Sequence, residues 1–283
     1  MSKKRSRRKS DASVVEPVWN IHAIDCVKGM SQLASGKWDL VATDPPYNLG
    51  RDYDIYEDRK STAEYLNWAR QWLGEIHRVL HKHGSFWLAM GAGLVSELDV
   101  MCKKDFKFYK RGHIIWAFTF GVNNPKNFTR AHTHWLYYTK SKTRFTFNAQ
   151  DPAVRVPSAR QLIYGDKRAN PKGRLPDDVW VLRPPELAEC FSGKSDVWLQ
   201  SRVCGTFHER VKGADNQIPL AMMERIVRTC SKPGDMVLDP FAGTGTTGVA
   251  AVMAGCNFQG FDVSKAYVDR ACSRVTAALN PVV

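Results

Sequence analysis

The chain has 283 residues, 43% apolar and 11% aromatic, enough to bury a large α/β core and too apolar for a disordered polypeptide. No apolar run approaches the roughly 18 residues of a membrane span, and the basic N-terminus lacks the apolar segment of a secretory signal. Seven scattered cysteines with no C-x-x-C pair argue for a reducing, cytoplasmic setting and against a disulfide framework or a zinc site. Forty-one Lys and Arg against 28 Asp and Glu give a net charge of +13. Setting aside the six cations Lys3, Lys4, Arg5, Arg7, Arg8 and Lys9 still leaves residues 11–283 at +7. A polyanion such as nucleic acid is the natural partner of such a surface, with a solubility role as the alternative.

In chain order, residues 1–17 read as a disordered basic arm ending at Pro17, suited to sequence-independent phosphate attraction or to a nuclear address. Residues 38–43 read as a buried strand that runs into Asp44-Pro45-Pro46-Tyr47, where two prolines forbid continuation and impose a rigid loop. The polar, tyrosine-bearing stretch 48–60 reads as a mobile loop, either a lid or an ordinary surface loop. Apolar positions from Tyr65 to Leu80 recur at helical spacing, predicting a helix over 61–83 capped by Ser61 or Thr62, stopped by Gly84 and packed through Trp68 and Trp72. His77, His81 and His83 would cap its last carbonyls. A strand over 85–90, a helix over 94–104 and strands around 106–117 and 134–140 follow, with His132 and His134 on one strand face, for packing or for contact with a ligand. Residues 141–207 break the rhythm with six prolines and a basic opening, and read as an inserted module. A helix over 217–230, strands at 236–239 and 258–262, a glycine-opened helix from 243 and a last helix over 264–279 restore it. Alternating β and α elements imply a doubly wound, mostly parallel sheet.

Two motifs carry chemistry. Asp239-Pro240-Phe241-Ala242-Gly243-Thr244-Gly245-Thr246-Thr247-Gly248 lies where a strand becomes a helix, so its glycines admit a close ligand and the helix start offers free N–H groups to an anion. Asp262, 19 residues past Gly243, ends the next strand, the place from which a carboxylate grips ribose hydroxyls. The glycine spacing also satisfies a dinucleotide fingerprint, so a nicotinamide-dependent oxidoreductase is a rival at this motif. An acid at the strand end suits a cationic amino group better than a pyrophosphate, and S-adenosylmethionine supplies ribose, amino group and carboxylate together, with Thr244, Thr246 and Thr247 as hydroxyl partners for the last. The Asp-Pro-Pro-Tyr tetrad suits methylation of an exocyclic base amine, a poor nucleophile whose lone pair is delocalised into the ring. Asp44 and the carbonyl of Pro45 can each accept one amine hydrogen, Pro46 keeps that carbonyl aimed, and Tyr47 offers a face on which an extruded base stacks.

On these motifs, residues 19–278 resemble the amino-methylating DNA methyltransferases of the adenine-N6 and cytosine-N4 types, and in particular the circularly permuted group with the catalytic tetrad first. Asp25-Cys26 is similar to the family's early Asp-Cys step, which implies contact with the cofactor's adenine. Gln217-Ile218-Pro219 resembles its Gln-x-Pro, here preceded by Ala214-Asp215 where the family usually has His-Pro. The resemblance implies a seven-stranded sheet, base flipping from double-stranded DNA, S-adenosylmethionine as cofactor and a homodimer. It divides the chain into a catalytic half over 18–140, a target-recognition region over 141–207 and a cofactor-binding half over 208–283. A tetrad that begins with Asp favours adenine N6 over cytosine N4. Arg51, Arg144, Arg155, Arg160, Lys167, Arg168, Lys172 and Arg174 become candidates for DNA contact, by guanine edges or by phosphates. RNA or protein-glutamine methylation and a non-catalytic nucleic-acid-binding module are the remaining alternatives.

Overall fold

A computed structural model describes residues 16–118, 125–162, 164–181, 210–211 and 217–280. The expected arm, but for its last two residues, and the target-recognition region beyond 181 lie outside them.

Strand β2 (Trp38–Thr43) sends Leu40 and Ala42 to one face and Val41 to the other, the period of two that a strand covered on both sides requires. Helix α2 (Thr62–Val79) starts at a capping box in which the Ser61 hydroxyl accepts the Glu64 N–H and the Glu64 carboxylate accepts the Ser61 N–H. It ends at Val79, before the expected Gly84 stop, because Leu80 already has extended backbone and begins β3 (Leu80–Met90). The polar run 81–83 conceals that strand's start. Gly84 serves a close approach instead: a Cβ there would lie 2.8 Å from Leu80 and 3.0 Å from the Trp38 carbonyl, beside the irregularity in the β2–β3 register. The expected histidine caps are therefore absent. His81 and His83 sit on β3, and the His77 ring packs against Phe106 and Phe108.

Strands β1 (Trp19–Ala23), β4 (Tyr109–Ala117), β5 (His132–Thr139), β6 (Val179–Val181), β7 (Met236–Asp239) and β8 (Asn257–Asp262) complete one sheet of order β1-β8-β7-β2-β3-β5-β4-β6. Only β5 runs against its neighbours. The sheet has eight described strands where seven were expected; β6, from the stretch expected to be an inserted module, forms the edge beside β4. Helices α1 (Cys26–Ser31), α2 and α3 (Val95–Lys104) cover one face with a core around Tyr65, Trp72, Phe86 and Tyr138. Helices α5 (Leu220–Cys230), α6 (Thr246–Met253) and α7 (Lys265–Leu279) cover the other through Met222, Ile226, Val249 and Val275. Inside the module, α4 (Ala159–Leu162) is a single turn. No helix among the described residues is long and apolar enough to cross a membrane.

The turn from β7 into α6 depends on Gly245, whose φ of +77° lies in the left-handed region and whose Cβ, if present, would sit 2.7 Å from that of Ala271 on α7. Gly245→Ala is expected to cost about 2 kcal/mol or more, strain and clash together, read as a lower urea midpoint at unchanged slope.

Candidate active site

Strands β2 and β7 are parallel neighbours at the centre of the sheet. From β2 the chain crosses through α2 to β3 on one side, and from β7 through α6 to β8 on the other. The crevice at their carboxyl ends is thus the switch point where open α/β sheets hold ligands. The Thr43 hydroxyl, one residue before the tetrad, donates to Asp239 Oδ1 at 2.7 Å, so the tetrad and the glycine turn share one edge. Both line a cavity of about 940 Å³, together with Asp25, Cys26, Gln217 and Asp262. Gly245 stands behind the wall, against Ala271.

Asp44 Oδ1 is shielded from solvent and has no hydrogen-bond partner. Burial first, and the charge of Asp239 next, push the Asp44 carboxyl up to about 7, opposed by the Tyr47 phenol beside it. Tyr47 is seated over Gly91, where a Cβ would lie 3.1 Å from its ring. From α2, the Tyr65 hydroxyl donates to the Pro46 carbonyl at 2.7 Å and fixes the tetrad's backbone. Sequence periodicity marks Tyr65 only as core; its hydroxyl role has no signal in the spacing.

Asp239 is a hub rather than a free acid. Thr43 and the Phe241 N–H donate to Oδ1, and Thr247 donates to Oδ2 at 2.5 Å. Burial raises its carboxyl to about 6 against these donors. Asp262 accepts the N–H groups of Gly243 (3.0 Å) and Ser264 (2.8 Å), which orient it at the cavity wall. Asp25 caps α1 through the Lys28 N–H, and burial drives the Cys26 thiol far up, leaving it neutral. Gln217 is buried, its Oε1 accepting the Val211 N–H. Arg274 of α7, unremarked in the sequence, donates from Nη1 to the Thr244 carbonyl (2.7 Å) and to the Thr244 and Thr246 hydroxyl oxygens (both 3.0 Å). Those hydroxyls accept from Arg274, so their own protons are directed elsewhere.

One expectation is extended here and one corrected. Trp68 packs against the core as expected, edge-on to Tyr65 and Trp72, and it also lines the cavity, edge-on to Phe241 and stacked obliquely on Tyr56. The stretch 48–60 is a built loop rather than a loose one. The buried Asp58 carboxylate accepts the N–H groups of Asn48, Leu49 and Arg51 at 2.8–3.0 Å, and Asn48 pairs with Lys60 in both directions. Its Asp54 accepts from the Ser264 hydroxyl at the start of α7, so the loop is fastened across the cavity.

The candidate DNA contacts divide. Arg51 lines the cavity. Arg155 is committed to the carbonyls of Ala149, Lys172 and Gly173, which knits the module together. Arg168 grips Asp166 with two nitrogens, Arg160 stands 3.6 Å from the same acid, and Arg174 pairs with Asp177. Arg144, Lys167 and Lys172 are exposed. Of the strand histidines, His132 lines the cavity, while His134 is buried with Nδ1 2.8 Å from His113 Nε2. Burial and the neighbouring imidazoles lower His134 to about 4.

A mostly parallel sheet whose switch point holds a Pro-Pro tetrad and a glycine turn on one cavity has the layout of a ligand-binding α/β enzyme. The DNA methylase model of the N6/N4 family matches residues 38–273, and the chain belongs to that family of DNA amino-methyltransferases. It is 30% identical to the type II methyltransferase M.HpaI of Haemophilus parainfluenzae over 90% of this chain and 74% of that protein. It is 28% identical to the DNA adenine methyltransferase YhdJ of Escherichia coli K12 over 90% and 81%. In fold it is similar to the PvuII DNA methyltransferase (cytosine-N4-specific), with a TM-score of 0.65, 15% identity and coverage of 94% and 92%. TTHA0409 of Thermus thermophilus, complexed with S-adenosyl-L-methionine, gives a TM-score of 0.61 at 21% identity, covering 94% and 97%.

The raised Asp44 has a stability consequence. A carboxyl whose native pKa exceeds its unfolded value loses stability as pH rises from about 4 to about 7. Asp44→Asn should therefore stabilise the ligand-free protein at pH 8 by about 1–2 kcal/mol, a rise in Tm of roughly 2–8 °C, with the difference vanishing near pH 4. Tyr65→Phe should leave the fold within about 1.5 kcal/mol of wild type and lower the transfer rate about tenfold, read by denaturation and single-turnover kinetics.

Proposed function

We propose that the protein transfers a methyl group from S-adenosylmethionine to the N6 amine of an adenine extruded from double-stranded DNA. The observation that carries this reading is that Asp44, one of whose carboxylate oxygens has no hydrogen-bond partner, lines the same cavity as the glycine turn and Asp262. The residues present fit the cofactor. Asp262 would take the ribose hydroxyls, Asp25 and Cys26 the adenine edge beside Trp68 and Phe241, and Asp239 the amino group through its unused lone pair. The Thr244 and Thr246 hydroxyls, their oxygens held by Arg274, would donate to the carboxylate beside the first N–H groups of α6. When bound, S-adenosylmethionine supplies a methyl group activated by a sulfonium.

The protein's own part is to make the amine nucleophilic. Asp44 and the Pro45 carbonyl accept its two hydrogens, which draws the nitrogen toward tetrahedral geometry and frees its lone pair. Tyr47 holds the base plane. The ionised Asp44 carboxylate is the stronger acceptor, so kcat/KM should fall as pH drops below about 7. The tetrad's opening Asp supports adenine over cytosine, as does the name of the Escherichia coli relative. A dimer and a paired restriction activity, the latter suggested by the type II names of its relatives, complete the proposal, with the cytoplasm as the place of action.

Incubation with isotopically labelled S-adenosylmethionine and duplex DNA, followed by nucleoside mass spectrometry, should give N6-methyladenine. N4-methylcytosine would overturn the choice of base, and label only in RNA or protein would overturn the choice of substrate. Asp44→Ala should lower transfer at least about a thousandfold while cofactor affinity stays within about threefold; loss of both together would contradict the division between tetrad and glycine turn.

A further inference from the structure

Asp44 lines the cavity with its Oδ1 shielded from solvent, so a base reaches it only after leaving its duplex, and the rim must meet DNA from which one base has been withdrawn. Residues 125–131 form part of that rim. They lead into β5, whose first residue His132 pairs with the last of β4, at the end of the sheet where β3 delivers Met90 opposite His134. Phe128 lies in this segment and lines the cavity mouth with Asn127 and Arg130. Its side chain is 96% exposed, more than any other large apolar side chain among the described residues. Lone exposed apolar side chains are common on protein surfaces, but a phenyl ring left almost wholly in water at the mouth of the cavity that would receive the base has a specific use. Its N–H donates to Asn127 Oδ1, a local tie that fixes the backbone beneath the ring, and the cations Lys126 and Arg130 stand two residues to either side. An apolar wedge between two phosphate-seeking side chains is the arrangement that enters a duplex between base steps.

We propose that Phe128 is a positioning residue that fills the gap left in the duplex by the withdrawn target base and so keeps that base from returning. The inference rests on the methyltransferase reading above. Tyr47 faces the base inside the cavity; Phe128 occupies the vacancy outside it. Without the ring the empty step recloses, at a penalty set by the stacking and pairing of the target base, and that penalty disappears where the target has no pairing partner.

The test uses the full chain, S-adenosylmethionine, and a duplex carrying the methylated sequence read from DNA of an expressing host. Single-turnover methylation is measured on the paired duplex and on one with an abasic site opposite the target. Phe128→Ala should slow transfer on the paired duplex by about 10- to 100-fold, and on the abasic duplex by no more than about threefold. Phe128→Leu should recover most of the paired rate. 2-Aminopurine at the target position should brighten with wild type and much less with Phe128→Ala. Equal loss on both duplexes would place the ring against the base itself and overturn the wedge, as would an unchanged rate on the paired duplex. A wild-type chain inactive on both duplexes would instead overturn the transferase reading, and the wedge with it.

Discussion

The carboxylate of Asp239 holds the site together. It sits at the end of a central strand with nearly all its surface buried, where an isolated charge would be costly, and three donors from three directions make it tolerable. One donor belongs to β2, one to the turn that Asp239 itself begins, and one to the first turn of α6. The same acid thus sets the spacing between the two central strands, the path of the backbone past Pro240 and the pitch of the helix that follows. Its charge also reaches Asp44 and helps keep that carboxyl near neutrality.

The candidate catalytic edge is therefore a set of nested supports rather than a row of reactive groups. Tyr65 braces the tetrad from the helical layer on one face, and Arg274 braces the glycine turn from the helical layer on the other. Asp58 folds loop 48–60 around its own carboxylate, and Ser264 fastens that loop to the far side of the cavity. Tyr65, Arg274 and Ser264 each hydrogen-bond from a scaffold helix to a segment that could not hold its shape alone, while Asp58 braces its loop from within, together the pre-organisation a candidate active site requires.

The two motifs and the elements flanking them were legible because rigid residue types carry them: consecutive prolines, glycines at a strand-to-helix turn, and acids at strand ends. The supports were not. Arg274, Tyr65 and Ser264 are ordinary residues at helical positions, and nothing in their spacing says that they reach residues 19 to 210 positions away. Residues 80–83 defeat the pattern because polar side chains at a strand's start look like a helix end, and Gly84 looks like a stop when its real role is to let two backbones come close. Trp68 fits a core stripe and packs there against Tyr65 and Trp72, yet it lines the cavity as well, which the spacing does not signal. Charge was the weakest guide: Arg155 is as basic as its neighbours but fully engaged with carbonyls.

The tie between Thr43 and Asp239 joins residues 196 positions apart. During synthesis, β2 and β3 can pair as soon as both have emerged, but β2 then presents a bare, apolar border of Leu40, Val41 and Ala42 until β7 has been made. Such a border is a template for pairing with the wrong chain. This order of strands along the chain thus leaves the nascent polypeptide with an open flank over most of its translation, a hazard to solubility that the finished sheet conceals.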